Sequence, residues 1–352
     1  MPRLEEPRPA MASLHRRALM AAAPAALVAA CEPGMPTTVS TTPKIALAQL
    51  TDAVTAIAER AKPGILGVGL ANLESGQAFF LDGERRFPMQ SVFKLPLAAA
   101  VLSEVDAGRV LLTERIFLLE QQLSPPHSPI AAAWPQRREY SARELLEAMV
   151  VDGDNTAADV LMKRIGGPGA VTAWLTARRV PEVRVDRYER ELASDALGMA
   201  PYRPAWRAPG AFSAALAAVP PERRAAAQAR YMTDPRDTAT PRGMIEFLQM
   251  FDSQQLISPN STRLLLQMMA RTSRGTARLR AGLPAGVFLA HRAGAAAFDL
   301  GRSAAHNDVG IFTLPDKRAY ALAVFLSGST LDEAGRDRVI AQVAAAALKA
   351  VG

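Results

Sequence analysis

Ser91 and Lys94 lie three residues apart at the mouth of an apolar run, Leu95 to Val105, and that spacing has a definite chemistry. On a helix, residues three apart share one face. A serine hydroxyl is a poor nucleophile until a neighbouring base takes its proton. A lysine at the start of a buried helix sheds its own proton more easily, because desolvation disfavours the ammonium, so Lys94 is a candidate base for Ser91. Taken alone the pair is unspecific, since a capping serine beside a solvated lysine is spelled the same way. The second candidate is Gly153-Asp154-Asn155-Thr156-Ala157-Ala158, set between two helical runs. There Asn155 offers a side-chain amide to a substrate amide while Asp154 braces the loop. The alternative is an ordinary Asp-Asn helix start.

Such residues need elements that bring them together. Leu47 to Ala61 reads as an amphipathic helix stopped by Pro63-Gly64. Leu66 to Leu73 and Gln77 to Leu81 read as strands joined by the turn Glu74-Ser75-Gly76. From Val92 to about Leu279 the apolar period is helical, broken by Pro/Gly-rich loops. Val287 to Arg292, Val309 to Leu314 and Ala319 to Leu326 return as strands, and Asp332 to Val351 closes the chain as an Ala-rich helix. This order predicts an α/β fold: an antiparallel five-stranded sheet made from both chain ends, flanked by the terminal helices, plus an inserted all-helical part. Residues 44–88 and 284–352 form the α/β half and 89–283 the helical half. A site is expected in the cleft between them.

With the elements in place, the motifs resemble those of the class A β-lactamases, penicillin-recognising serine hydrolases with a β-lactamase/transpeptidase-like fold. The resemblance rests on Ser91-x-x-Lys94, the Asp154-Asn155-Thr156-Ala157-Ala158 run ending in Gly166-Gly167, and Asp186-Arg187-Tyr188-Glu189-Arg190-Glu191-Leu192 at the start of an omega loop, 186–241. It continues in Arg236-Asp237-Thr238-Ala239-Thr240-Pro241 at the loop's end, His291-Arg292-Ala293-Gly294, and Asn307-Asp308-Val309-Gly310-Ile311. The pattern is nearest the PER-like subgroup and runs from about Leu47 to the C-terminus. It implies that Ser91 attacks a β-lactam carbonyl, with Lys94, Glu189 or both taking its proton. The backbone N–H groups of Ser91 and Ala295 would form the oxyanion hole, and Glu189 would activate the water that releases the product. Gly153, Asn155, Arg292, Ala293 and Gly294 would line the substrate, with Asn155 on its side-chain amide, Arg292 on its carboxylate and His127 at the rim. Asp154 would brace the loop, and Arg187 and Asp237 would pair across the omega neck. No metal and no organic cofactor is implied.

The departures are specific. The family's Ser-Asp-Asn reads Gly153-Asp154-Asn155, so the hydroxyl that passes a proton to the lactam nitrogen is missing, and a water in the space it leaves, or Lys94, would have to substitute. Lys-Thr-Gly reads Arg292-Ala293-Gly294, which keeps a charge but loses one hydroxyl. An Asn that helps hold the hydrolytic water has become Ala193. Glu189 and Asp237 stand 48 positions apart, far more than is usual in the family. The extra chain carries Arg223, Arg224 and Arg230 on a helical stretch from Pro221 to Tyr231. It reads either as a basic lid suited to anionic substrates or as a surface insertion with no catalytic role. The expected function is a serine β-lactamase acting on penicillins or cephalosporins through an acyl-enzyme on Ser91. Its rivals are a related peptidase, amidase or esterase, and a non-catalytic penicillin-binding lipoprotein.

Composition excludes other classes. The net charge of +7 comes with no basic stripe interleaved with aromatics, which argues against nucleic acid. One cysteine permits no internal disulfide and no zinc cluster. That cysteine, Cys31, follows the apolar stretch Ala18 to Ala30, itself preceded by His15-Arg16-Arg17. The sequence therefore reads residues 1–31 as a lipoprotein signal with Cys31 lipidated, and residues 32–43, rich in Pro and Thr, as a tether. The reading is an exported, membrane-attached periplasmic monomer whose partner is a small β-lactam.

Overall fold

A computed structural model describes residues 44–208 and 210–352. Its centre is an antiparallel sheet of five strands: β1 Ile65–Asn72, β2 Ala78–Leu81, β3 Phe288–Ala295, β4 His306–Thr313 and β5 Ala319–Ser327, in the order β2-β1-β5-β4-β3. Both chain ends thus contribute to one sheet, as the order of elements predicts. Side chains alternate along each strand, and the alternation sorts them between two cores. On β5, Leu322, Val324 and Leu326 join helices α1 (Leu47–Arg60) and α9 (Glu333–Val351), while Ala321, Ala323 and Phe325 face the helical side.

On that helical side the central element is α2 (Lys94–Asp106). It is apolar all round, which a helix can be only when it is enclosed on every face, and Lys94 to Leu102 are each at most 2% exposed. Pro96 sits in its first turn, where no backbone N–H is needed. Against it pack α3 (Asn155–Arg164) and α8 (Pro259–Ala270), and α7 (Pro241–Asp252) shares the same core, while α4 (Glu189–Ala196) packs on α3. The long excursion between Glu189 and Asp237 contains α4, α5 (Ala211–Ala217) and α6 (Pro221–Thr233).

Strand β3 runs three residues beyond the sequence expectation, through Ala295. The reason is its ladder with β4, which pairs Asn307 with Gly294 and His306 with Ala295. Backbone hydrogen bonds carry a strand through Ala and Gly residues whose own propensity would not. Because β3 is the edge strand, this extension places Arg292, Ala293, Gly294 and Ala295 along the cleft. Cys31 and residues 1–43 lie outside the described residues, so the signal and tether readings have no structural counterpart. Among the described residues no helix is long and apolar enough to cross a membrane, and no cluster of His, Cys, Asp or Glu is placed to hold a metal.

Candidate active site

Ser91 sits in a single 3-10 turn, Gln90–Phe93, that leads directly into α2. Lys94 is the first residue of that helix and fully buried. Its Nζ lies 3.1 Å from Ser91 Oγ and 2.8 Å from the Gly153 carbonyl, and it also donates to Asn155 Oδ1. The chemistry of these partners settles which does what. Asn155 Nδ2 donates to the Pro126 carbonyl at 2.7 Å, which fixes the amide so that its oxygen faces Lys94. The Gly153 carbonyl and Asn155 Oδ1 can only accept, so both take an N–H from Nζ. Ser91 alone can also donate, so a neutral Lys94 presents its lone pair to the serine proton. Burial lowers the Lys94 pKa to about 8, against the opposing pull of the Glu189 carboxylate. The neutral amine is therefore accessible at ordinary pH.

Asp154 caps α3, accepting from the Ala157 and Ile130 N–H groups and from Ser128 Oγ, so the brace that presents Asn155 is itself fully bonded. Glu189 opens α4 on the facing wall. Its Oε2 is buried and accepts no hydrogen bond from any of the described residues. Its backbone N–H donates to Asp159 Oδ1 at 2.6 Å.

On β3, a Cβ at Gly294 would lie 2.9 Å from Ser91 N, closer than side chains ever pack, so only glycine lets the strand approach the nucleophile turn. N–H groups alternate in direction along a strand. Ala296 N–H is bonded to Ala305 O on the β4 side, so Ala295 N–H points the other way, toward the cleft beside Ser91 N–H. Arg292 reaches from β3 under the serine: Nε donates to Ser91 O and Nη1 to Val150 O, each at 3.1 Å. It is buried, which lowers its pKa to about 10. Across the omega neck Arg187 Nε donates to Asp237 Oδ2 at 2.6 Å. His127 lines the cleft, as do Gly153, Asn155, Glu189 and Ala293. The cleft has a volume of about 500 Å³.

A family model described as the β-lactamase enzyme family matches residues 49–351. The chain belongs to this family. It is 30% identical over 286 residues to the extended-spectrum β-lactamase PER-1 of Pseudomonas aeruginosa, covering 80% of this chain and 81% of the relative. It is 28% identical to β-lactamase VEB-1 of the same organism, over 81% of this chain and 85% of the relative. Among solved structures it resembles a β-lactamase from Chitinophaga pinensis with a TM-score of 0.72 and 31% identity, covering 86% of this chain and 99% of the other. An ancestral class A β-lactamase matches with a TM-score of 0.69 at 30% identity, over 86% of this chain and 99% of the other. The chain is thus a class A serine β-lactamase, a hydrolase of β-lactam amide bonds.

Within that family its departures acquire a geometry. The space expected beside Gly153 is not open: a Cβ there would lie 3.1 Å from Arg292 Nη2 and 3.7 Å from Arg274. Gly153 also has φ +81°, a backbone conformation that side chains rarely adopt. Glycine and arginine therefore fit each other, and a serine hydroxyl at 153 would compete with the guanidinium. Four residues of the site were not singled out in the sequence. Asp159 is buried and receives Ser124 Oγ as well as Glu189 N–H, and its signal was the one charge in the buried run Asn155 to Met162. Arg274 lines the cleft and donates to Asp152 O at 3.0 Å; nothing in its Ser273-Arg274-Gly275 setting announced it. Gln90, at φ +50°, donates to the Tyr231 hydroxyl at 2.6 Å. Tyr231 belongs to α6, where Ala227 and Tyr231, four apart, are the buried face. His291 and His306 pair with Asp308 and Asp337 away from the serine.

Proposed function

We propose that this β-lactamase works by acylation and deacylation, with Ser91 as nucleophile and Lys94 as the base that takes its proton. The observation that carries the reading is the Lys94 amine, buried, of lowered pKa and 3.1 Å from Ser91 Oγ, with two acceptor-only partners that turn its lone pair toward the hydroxyl. Attack on the lactam carbonyl puts negative charge on its oxygen, which the Ser91 and Ala295 N–H groups stabilise. As the C–N bond breaks, the lactam nitrogen takes a proton that began on Ser91 and passed to Lys94. Asn155 holds the substrate's side-chain amide. Arg292 Nη2, which makes no hydrogen bond among the described residues, and Arg274 hold its carboxylate. Glu189 then deprotonates the water that hydrolyses the ester, and its unpartnered buried Oε2 is the acceptor for that water.

Penicillins and cephalosporins are the substrates of this reading. Its test is nitrocefin turnover by purified protein, beside mass spectrometry of the intact chain after exposure to a penicillin. Ser91→Ala should remove both turnover and the acyl adduct, and an adduct that survives the substitution would displace Ser91 as the nucleophile. The missing hydroxyls at Gly153 and Ala293 favour a second reading, an amide or ester hydrolase with weak β-lactam turnover. Faster hydrolysis of a linear peptide or ester than of nitrocefin would support it. We further propose export with lipidation at Cys31, supported by the Val28-Ala29-Ala30-Cys31 sequence. A mature N-terminus elsewhere, found by mass spectrometry of the membrane fraction, would refute it.

A further inference from the structure

The cleft is polar at one end and apolar at the other, and the apolar end is built by chain found in the enlarged omega segment. At the polar end Arg292, Arg274 and Gly153 converge, and Gly275 lies against Ala293. The apolar lining is Leu192, Ala193 and Ala196 from α4, Leu197 after it, Ala296 and Ala297 beyond the edge strand, and Phe212 and Leu216 from α5, joined by the polar Gln228 of α6. Leu192 and Ala296 belong to one packed cluster with Tyr231 of α6, so the α4 wall, the strand end and the excursion are continuous. Phe212 and Leu216 are four apart and share one face of α5. Phe212 is set by an aromatic relay: its ring lies edge-on to Trp206 at 6.0 Å, and Trp206 lies edge-on to Tyr202 at 6.0 Å.

The arginines of the excursion point elsewhere, which removes the basic-lid reading. Arg224 pairs with Asp299 at 2.6 Å, Arg207 pairs with Glu120 and stacks on Trp134, and Arg230 lies beside the omega neck with Arg187 and Arg236. Among the described residues, no arginine between Leu197 and Asp237 lines the cleft.

We propose that Phe212 and Leu216 form an apolar subsite for the acyl substituent of the substrate, making this enzyme selective for aryl-bearing side chains over absent or anionic ones. A substrate acylated on Ser91 with its carboxylate at Arg292 and Arg274 extends its other substituent past Asn155 and Glu189 toward α4 and α5. The proposal rests on the acyl-enzyme reading above.

Three penicillins with one nucleus separate the possibilities: benzylpenicillin, with a phenyl side chain; carbenicillin, with a phenyl and a carboxylate; and 6-aminopenicillanic acid, with no acyl side chain. The expected order of kcat/KM is benzylpenicillin first, with both others below it. Phe212→Ala with Leu216→Ala should lower the ratio of benzylpenicillin to 6-aminopenicillanic acid about tenfold, the effect of losing most of one ring's burial. Phe212→Lys should raise the ratio of carbenicillin to benzylpenicillin. Equal losses on all three substrates in the double variant, or unchanged ratios in both variants, would overturn the subsite. A parent enzyme that prefers carbenicillin would overturn it in favour of a cationic rim. A parent that turns over none of the three, nor nitrocefin, would overturn the hydrolase reading and the subsite with it.

Discussion

The two walls of the cleft are held by opposite means. Around Ser91 the polar groups of Lys94, Asn155, Asp154 and Arg292 are almost wholly buried and joined by directional hydrogen bonds to named partners. On the facing side Phe212 and Leu216 of α5 and Tyr202 and Trp206 before it are half-buried, with ring-to-ring contacts from Tyr202 to Trp206 to Phe212, and the Tyr202 hydroxyl and Arg207 Nε have no hydrogen-bond partner among the described residues. Buried polar groups are costly unless every bond is made, so the first wall admits one arrangement. Apolar contact is non-directional, so the second wall is free to vary in shape. Ser91 and Lys94 sit on the wall that cannot drift, Glu189 is tied to it through its N–H bond to Asp159, and selectivity is left to the apolar contacts of α5.

Perturbing each wall tests this contrast. The largest effect is expected at Glu189, the catalytic member of the facing wall. Glu189→Gln keeps the shape and removes the base, so a penicillin should acylate Ser91 and stall, with deacylation slowed roughly 10²–10⁴-fold. Mass spectrometry would reveal the trapped ester, and release at the parental rate would assign the base elsewhere.

Next comes Gly153→Ser, which restores the family's hydroxyl but meets φ +81° and the Arg292 guanidinium. We expect acylation to slow, together with a stability loss of about 1–2 kcal/mol from the left-handed backbone. Stopped-flow acylation and thermal melting measure the two separately. Faster acylation would mean that Arg292 gives way more readily than its bonds to Ser91 O and Val150 O imply.

A smaller effect is expected at Tyr231, where the variable wall touches the rigid one through the 2.6 Å bond from Gln90. Tyr231→Phe keeps the ring and removes the acceptor, so kcat should fall several-fold while KM moves little, because the turn carrying the Ser91 N–H loosens. Loss of one neutral hydrogen bond is worth about 1 kcal/mol. Parallel changes in kcat and KM with a lowered melting point would reduce Tyr231 to a packing role.

The smallest effect concerns pH. Burial raises the Asp159 pKa to about 6, against the hydrogen bonds from Ser124 and Glu189 N–H. A carboxyl whose folded pKa is raised contributes stability at low pH that is lost as pH climbs through the folded value. Asp159→Asn carries no such charge, so its melting temperature relative to the parent should rise between about pH 4 and pH 6 and level off above that. A difference that stays constant across that window would mean the Asp159 charge is not paying a burial cost.

Much of this was legible in the sequence because local rules set it. The period-two strands at both chain ends, the all-apolar helix after Lys94 and the Asp154 cap each express a pattern that residues dictate to their own backbone. Ser91, Lys94 and Asn155 could be picked out because residue type and spacing suggest their chemistry, whereas Glu189 and Arg292 could be picked out only through the resemblance to the family's motifs. The missed residues depend on distant partners. Tyr231 and Ala227 mark a buried face on α6, but a helical period tells which face is covered and not by what, so the contact with Gln90, 141 positions away, was invisible. For the same reason Arg223, Arg224 and Arg230 suggested a basic lid, whereas none of them lines the cleft and Arg224 is paired with Asp299.

The sequence by itself determined which residues could react and which segments would be strand or helix, since propensity, capping and apolar period act over a few positions. Tertiary structure decided how those residues meet. The left-handed turn at Gly153 and the guanidinium filling the place of its side chain belong to two segments brought together only when β3 packs along the Gln90–Phe93 turn. Whether the long omega excursion shows the cleft its charges or its rings was settled in the same way. Salt bridges to distant carboxylates and the burial of Phe212 beside Trp206 are long-range energies that no local pattern encodes.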